Sequence, residues 1–280
     1  MDQYGVVGHP VAHSWSPFIH GMFARQTAQA LTYRLYDVSA EQFRDRVLEF
    51  AAQGGRGLNV TVPHKLAAAG LSEDLSERAS RAGAVNTLSF ENGRIIGDNT
   101  DGAGLVRYLT QNLGLTVAKR RVLIAGAGGA VRGVVAPLLE LEPVELVIAS
   151  RTADRAAALA ADFAESGAVR ACALAELSLG SFDLVINATS AGLSGEVPAI
   201  PPEAISAATT CYDMAYARSD TPFVRWARAR GCGHAVQGWG MLVEQAAESF
   251  EIWRGVRPDT ATVLSLLTNP DRDALTTHGV

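Results

Sequence analysis

Short β-branched runs alternate along the chain with stretches whose apolar residues recur at helical spacing. That alternation is the pattern of α/β architecture with parallel strands. The first strand is predicted over Tyr4–Gly8. Ser16-Pro17 then supplies an N-cap and a first helical residue, ahead of a helix with Ile19, Met22, Phe23 and Gln26 on one face. A second helix carries Phe43, Val47, Phe50 and Ala51 at core spacing and ends near Gly54-Gly55. A strand follows into Asn59–Lys65. Thr87–Phe90 and Arg94–Gly97 flank Asn92-Gly93, the two-residue hairpin signal. A helix from about Gly102 to Leu113, with Val106, Leu109 and Leu113 in register, leads into a second unit.

The style of the sequence changes there. Arg121–Ala125 has the composition of a buried strand; a glycine turn, a helix through Pro137–Leu139 and a strand at Glu145–Ala149 follow. A helix at Ala153–Phe163 and strands near Val169, Asp183–Asn187 and Thr209–Met214 continue the winding, the plan of a dinucleotide-binding half-shell. After a last strand around His234–Val236, Gly238–Gly240 releases a long helix to Arg254, and another lies near Thr260–Leu267. The expected fold is α/β: an N-terminal α/β substrate domain, residues 1–101 and 238–280, and a Rossmann-type domain, residues 102–237, with a cleft between them and Gly102 and Gly238 as candidate hinges.

At 280 residues the chain is long enough for two cores. Apolar residues make up 48% and charged residues 19%, which excludes a disordered chain. A net charge of −5 without a basic stripe offers no field for nucleic acid. Cys172, Cys211 and Cys232 are too few and too scattered for a disulfide framework or a metal cluster, which fits a reducing cytoplasm. His9, His13 and His20 lie close in sequence without a metal-binding pattern, so no metal is expected. Neither a secretion signal nor an apolar run of membrane-spanning length is present.

The chemistry concentrates in Asn-Val-Thr-Val-Pro-His-Lys, residues 59–65. In an extended strand Leu58, Val60 and Val62 point into a core while Asn59 and Thr61 point the other way. Pro63 ends the ladder, and Lys65 projects beside the polar face. A lysine beside aligned amide and hydroxyl groups suits proton transfer to a small oxygenated substrate; a solvated lysine is the plain alternative. Ser14 and Ser16, two residues apart, present both hydroxyls on one side of extended chain, although Ser16 also suits a helix cap. Asp101, before Gly102 and a helix, competes as an N-cap; Asn86 suits the closing of a turn, and Gln245 the surface of its helix. His64 reads as structural or positioning.

In the glycine turn, Gly126 permits a tight bend and Gly128 an approach of backbone to a pyrophosphate, with free N–H groups at the helix start. The third glycine of the usual fingerprint would fall at Val131; Gly129 and Gly133 are shifted, and a plain tight turn stays open as a reading. At the end of the next strand, where NAD-binding units carry an acid, stands Ser150-Arg151-Thr152, with Arg155 a turn later. Guanidinium and hydroxyl groups there suit a 2′-phosphate and favour NADP. Asp154 falls in the first turn of the helix, as a dipole partner.

Several segments together resemble shikimate dehydrogenase, of the shikimate/quinate dehydrogenase family, over nearly the whole length. They are Gly8–Pro17, Asn59–Lys65, Gly83–Thr87, Gly97–Gly102, Gly126–Ala130, Asn187-Ala188-Thr189-Ser190 and Gly238–Gln245. The resemblance implies NADPH-dependent reduction of 3-dehydroshikimate to shikimate, in aromatic amino acid biosynthesis. It implies that Ser14 and Ser16 hold the substrate carboxylate, with Tyr216 nearby, and that Asn59, Thr61, Asn86, Asp101 and Gln245 bind ring hydroxyls. Lys65 and Asp101 become the catalytic pair. The cofactor falls to Gly126, Ala127, Gly128, Gly129, Ala130, Ser150, Arg151, Thr152, Arg155, Thr189, Met214 and Gly238. Two departures stand out: Trp15 where the family often has lysine, and Ser150 where it often has asparagine. The partner is then a small molecule, with a homodimer as the candidate assembly. A quinate or dual-substrate dehydrogenase is the alternative activity, and a non-catalytic NADPH sensor the alternative class.

Overall fold

The computed structural model describes residues 1–177, 180–189, 191 and 195–269. They form two compact units, one from Met1–Leu105 and the chain from Gly240 onward, the other from Val106–Trp239.

The first unit is built on a six-stranded sheet. Its strands are β1 (Asp2–Gly8), β2 (Leu31–Asp37), β3 (Gly55–Val60), β4 (Asp74–Leu75), β5 (Thr87–Glu91) and β6 (Arg94–Asp98). They lie in the order β2-β1-β3-β5-β6-β4. The sheet is mixed rather than parallel, because β3 pairs with β5, and β5 with β6, antiparallel. The hairpin turn responsible is Asn92-Gly93, both at positive φ, as a two-residue hairpin of primed type requires. β2 has no counterpart in the sequence reading. It is an edge strand whose faces are only partly covered, so its burial does not alternate.

Helices α1 (Ser16–Gln26), α2 (Phe43–Ala52), α3 (Lys65–Leu71), α4 (Glu77–Ala82) and α5 (Asp101–Arg107) intervene, and α9 (Trp239–Arg254) and α10 (Thr260–Thr268) return late in the chain. Phe43, Val47 and Phe50 of α2 share one core cluster with Val7, Leu58, Val60, Leu88 and Ile95 of the strands. Phe23 of α1 meets Phe250 of α9 edge to face, at 5.8 Å between ring centroids. Trp253 of α9 donates its indole N–H to the Leu88 carbonyl, at 3.1 Å. On α1 the buried face is Ser16, Ile19, His20, Phe23 and Ala24; Gln26 is exposed, and His20 takes the core position instead. Ser16 is not the cap either, since the helix already includes it and Trp15 holds the capping position.

The second unit contains, near its start, a π-helical turn at Tyr108–Asn112. Strands β7 (Arg121–Ala125), β8 (Glu145–Ser150), β9 (Val169–Ala173), β10 (Leu184–Asn187), β11 (Thr210–Asp213) and β12 (His234–Gln237) are ordered β12-β11-β10-β7-β8-β9. Every pairing in this sheet is parallel. This is the doubly wound order, reversing between β7 and β10, where such sheets open a crevice at their carboxyl ends. Val122, Leu123, Ile124 and Ala125 are buried consecutively, as a strand covered on both faces demands. Helices α6 (Gly129–Leu139), α7 (Ala153–Asp162) and α8 (Pro222–Ala229) lie between strands. α8 also has no counterpart in the sequence reading, although Thr221-Pro222 carries both of its start signals. The Thr221 hydroxyl accepts the Val224 N–H, and Pro222 opens the helix.

Packing of α5 on α9 holds Gly104 to its residue type. A Cβ there would fall 2.6 Å from the Gln245 backbone nitrogen and 2.7 Å from its Cβ. Gly104→Ala should therefore lower stability by about 1–2 kcal/mol, overpacking outweighing a helix-propensity gain of about 1 kcal/mol. A urea midpoint equal to or above that of the parent chain would contradict this.

Candidate active site

The polar strand face of the first unit is real, but its geometry differs from the sequence expectation. β3 stops at Val60, and Val62 is 61% exposed rather than packed in a core. The chain turns over Thr61–His64, with the His64 N–H on the Thr61 carbonyl at 2.9 Å. Lys65 is then the first residue of α3, not an extension of the strand. The turn carries the lysine inward: Lys65 is only 9% exposed. His64 anchors that turn, stacking on Phe43 at 4.5 Å and donating Nε2–H to the Val38 carbonyl at 2.7 Å.

Lys65 Nζ pairs with Asp101 Oδ2, and Asp101 is only 4% exposed. Asp101 is the first residue of α5, so it does not cap that helix. Its own N–H is accepted by Asn99 Oδ1 at 3.1 Å, and Asn99 donates to the Ala84 carbonyl at 2.9 Å. The second carboxylate oxygen, Oδ1, accepts from Asn86 Nδ2 at 2.9 Å. The Asn86 amide has one workable orientation, because its Oδ1 accepts the Thr100 N–H at 2.8 Å and the Thr87 hydroxyl at 2.9 Å. Asn86 Nδ2 also reaches Gln245 Oε1 at 3.3 Å, while Gln245 Nε2 is tied back to the Leu242 carbonyl at 2.8 Å.

Behind this group lies a layer of buried hydroxyls. Ser249 Oγ of α9 receives Asn59 Nδ2 at 2.8 Å and touches Thr87 Oγ1 at 2.9 Å and Thr100 Oγ1 at 3.2 Å. Asn59 Oδ1 accepts the Tyr33 hydroxyl at 2.7 Å. Both ends of the Asn59 amide are thus engaged inside the unit, and its visible work is to hold the network. Burial raises the Tyr33 phenol well above its usual range, the Ser16 side chain opposing that shift, so Tyr33 stays a neutral donor. Ser14 Oγ donates to Ser16 Oγ at 3.1 Å and accepts the Ser16 N–H at 3.3 Å, so the two hydroxyls do converge. Thr61 is half-buried, beside Gly8, where a Cβ would meet its methyl group at 2.3 Å.

Tyr33 and Ser249 lie outside every segment that carries the resemblance, while Thr87 and Thr100 lie inside Gly83–Thr87 and Gly97–Gly102 without a role assigned to either. Tyr33 sits on the unread edge strand. Ser249 falls in the apolar stripe of its helix, although its spacing of four from Gln245 puts both on one face. Trp15, the rim departure, packs edge to face on Phe18 at 5.9 Å.

In the second unit, the turn between β7 and α6 fits a dinucleotide. At Gly126, φ +127°, a Cβ would lie 2.8 Å from the Ala188 carbonyl oxygen, so only glycine makes this bend. Gly128 is the opposite case: a Cβ would meet nothing within 4 Å, leaving open space for a ligand to lie against the backbone. No side chain caps α6, which starts at Gly129-Ala130 and leaves its N-terminal dipole for an anion. Ala127 is half-buried beside them. Val131 and Gly133, at and after the shifted fingerprint position, are buried.

At the end of β8, Arg151, Thr152 and Arg155 are exposed. Ser150 is buried and spends its hydroxyl inside the turn, donating to the Thr152 carbonyl at 2.5 Å and accepting the Thr152 N–H at 3.2 Å. It shapes the loop that presents the two arginines. Thr189, Met214 and Tyr216 cluster at the exits of β10 and β11, Tyr216 lying against Trp239 at 4.6 Å. Gly238 is buried, and a Cβ there would meet the Met214 carbonyl oxygen at 2.3 Å. Ser190 lies outside the described residues.

Residues 6–88 match the family described as the shikimate dehydrogenase substrate binding domain, residues 108–207 the shikimate / quinate 5-dehydrogenase family, and residues 238–268 the shikimate 5′-dehydrogenase C-terminal domain. A shikimate dehydrogenase (NADP(+)) from Alkalilimnicola ehrlichii is 56% identical over 95% of this chain and 98% of its own. The chain belongs to the shikimate dehydrogenase family. Among solved structures, an Ael1 enzyme from Pseudomonas putida is similar with a TM-score of 0.89 and 46% identity, over 96% of this chain and 99% of that one. The shikimate 5-dehydrogenase of Thermus thermophilus, solved with NADP(H) and shikimate, gives 0.84 and 33% over 95% and 98%. Membership accounts for the α/β plan of both units, with a Rossmann-type sheet in the second.

Among the described residues, no group of three or more His, Cys, Asp or Glu is placed to hold a metal ion, and no helix is long and apolar enough to cross a membrane. His20 is instead packed among rings, stacked on Tyr33 at 4.2 Å and 7° and lying 5.6 Å from Trp253. Burial pushes its pKa down to about 3, with the Asn59 side chain opposing. An unfolded chain therefore binds this proton first. The stability His20 lends is full above the ordinary value of 6.5 and is lost as pH falls towards 3. Between pH 7 and pH 5 this amounts to about 2 kcal/mol. Denaturation midpoints of His20→Phe should lose that component; a variant with the full parental acid sensitivity would refute the assignment.

Proposed function

We propose that this chain catalyses the reversible, NADPH-dependent reduction of 3-dehydroshikimate to shikimate. The observation that carries the proposal is the buried Lys65–Asp101 pair with Asn86 holding its free carboxylate oxygen. Burying an ion pair costs desolvation that an apolar pair would avoid. Placed at a polar face lined by Asn59, Asn86 and Gln245, such a pair is better explained by reactivity. Bound NADPH supplies the hydride.

The chain's own residues do the rest. Ser14 and Ser16 take the substrate carboxylate. Thr61, Asn86 and Gln245 meet the ring hydroxyls, and Asn59 holds that set in register. The Lys65 ammonium polarises the ketone oxygen and stabilises the growing alkoxide, while Asp101 orients the lysine and hydrogen-bonds a neighbouring hydroxyl. Proton delivery is assigned to the pair rather than to either partner alone. Residues 1–101 and 238–280 form the substrate domain in this reading, and residues 102–237 the cofactor domain. The cofactor lies on Gly126–Ala130, with its 2′-phosphate at Arg151, Thr152 and Arg155 on the loop that Ser150 shapes. Thr189, Met214 and Gly238 serve the nicotinamide half. The reaction is placed in the cytoplasm, in keeping with three free thiols among the described residues, and a homodimer is the candidate assembly.

Oxidation of quinate is the second reading, favoured by the shikimate / quinate description that matches residues 108–207. Shikimate and quinate assayed side by side, with NADP⁺ and with NAD⁺, should give the highest kcat/KM for shikimate with NADP⁺. Higher kcat/KM for quinate would overturn the substrate choice. Arg151→Ala should weaken NADP⁺ by about tenfold and NAD⁺ hardly at all, the worth of a charge-assisted hydrogen bond. Equal losses would show that the arginine does not read the 2′-phosphate.

A further inference from the structure

The second unit buries a carboxylate that the reaction does not use. Asp213, the last residue of β11, is fully buried, and no lysine or arginine among the described residues forms an ion pair with it. Burial raises its carboxyl above the ordinary range, against the hydrogen bonds it accepts from Thr221, Ala215 and Asn187. Such a group costs stability wherever it sits, so its partners explain its presence.

Those partners lie at the carboxyl edge of the sheet. Asp213 Oδ1 accepts Asn187 Nδ2 at 3.0 Å and the Ala215 N–H at 3.1 Å. Oδ2 accepts the Thr221 hydroxyl at 2.5 Å. Asn187 is the register partner of Asp213 on β10, the strand beside the reversal of the sheet. With its Nδ2 drawn to the carboxylate, Asn187 must aim Oδ1 the other way. There it accepts the Thr189 N–H at 3.1 Å and the Thr189 hydroxyl at 2.8 Å. The Asn187 carbonyl also accepts the Met214 N–H at 2.8 Å.

We propose that Asp213 is a positioning residue for the cofactor, acting through Asn187 to fix Thr189 and the Met214–Ala215 turn. The inference rests on the reading of Thr189 and Met214 as cofactor contacts. Its Oδ1, which takes both the Asn187 Nδ2 and the Ala215 N–H, dictates which way the Asn187 amide faces. An apolar leucine at 213 has no acceptor, so both donors are left unpaired or Asn187 turns its NH₂ towards the donors of Thr189.

The test is NADPH binding without substrate, followed by nicotinamide fluorescence, alongside the KM for shikimate. Asp213→Leu should weaken NADPH by about tenfold and leave the shikimate KM within about twofold. Thr221→Val removes only the Oδ2 donor and the cap of α8; it should lower the melting temperature without moving the NADPH Kd. Asn187→Ala should reproduce the NADPH loss, and the Asp213→Leu/Asn187→Ala double variant should be no worse than the weaker-binding single. Asn187→Ala also carries the test should Asp213→Leu fail to fold. Unchanged NADPH affinity in Asp213→Leu, or in Asn187→Ala where the former is unfolded, would overturn the proposal. So would a loss in Thr221→Val as large as in Asp213→Leu, which is the mark of a merely structural role. Because binding is read without turnover, a parent chain that binds NADPH but oxidises no shikimate would refute the reaction and leave this inference standing.

Discussion

The amide of Asn86 decides how a buried charge pair is held, and the chemistry of the first unit depends on it. An isolated lysine and aspartate in the interior would be an expensive way to stabilise a fold. Here Asp101 has one oxygen on Lys65 and the other on Asn86, and Asn86 is itself locked by the backbone of Thr100 and the hydroxyl of Thr87. The carboxylate therefore cannot rotate without breaking several bonds at once. Preorganisation of this kind lets electrostatic stabilisation act without reorganisation at the moment of reaction.

Much of the first unit exists to support that arrangement. The antiparallel β5–β6 hairpin places Asn86 and Thr87 at its entry and leads out to Asn99, Thr100 and Asp101. Helix α9, separated from them by more than a hundred residues, returns to add Gln245 and Ser249. Its seat depends on Trp253 reaching the Leu88 carbonyl and on Gly104 having no side chain. On the second unit the logic is the reverse. The cofactor turn needs emptiness, an uncapped helix start and space at Gly128, while the polar bonds lie deeper, around Asp213.

The legible parts of the sequence were those where one residue type has few alternative uses. Asn92-Gly93 forced a hairpin; Gly126 and Gly128 forced a turn; the consecutive apolar residues of β7 and β8 forced strands covered on both faces. Lys65, Asp101, Asn86 and Gln245 were each nameable from motifs, and they do meet. What stayed hidden depended on contacts distant in sequence. β2 is half-covered, so no periodicity betrays it, and with it went Tyr33. Val62 reads as a core position only on an unbroken strand; β3 ends two residues before it, and the turn that follows buries Lys65 instead. His20 and Ser249 occupy core positions beside aromatic and aliphatic neighbours, where a polar residue reads as an exception until its partners are known. Asp213 looked like an ordinary strand end, since nothing local signals three donors converging on it.

Whether Lys65 and Asp101 act as one unit is measured most directly by a double-mutant cycle on kcat. Lys65→Met should slow turnover of 3-dehydroshikimate by about 10²–10⁴-fold, the usual worth of general acid–base groups. Adding Asp101→Asn to it should cost little more, because residues that work as a unit are strongly non-additive. Losses that multiply, with the double variant slower than either single by the full product, would mean that the two side chains contribute independently and would contradict the account.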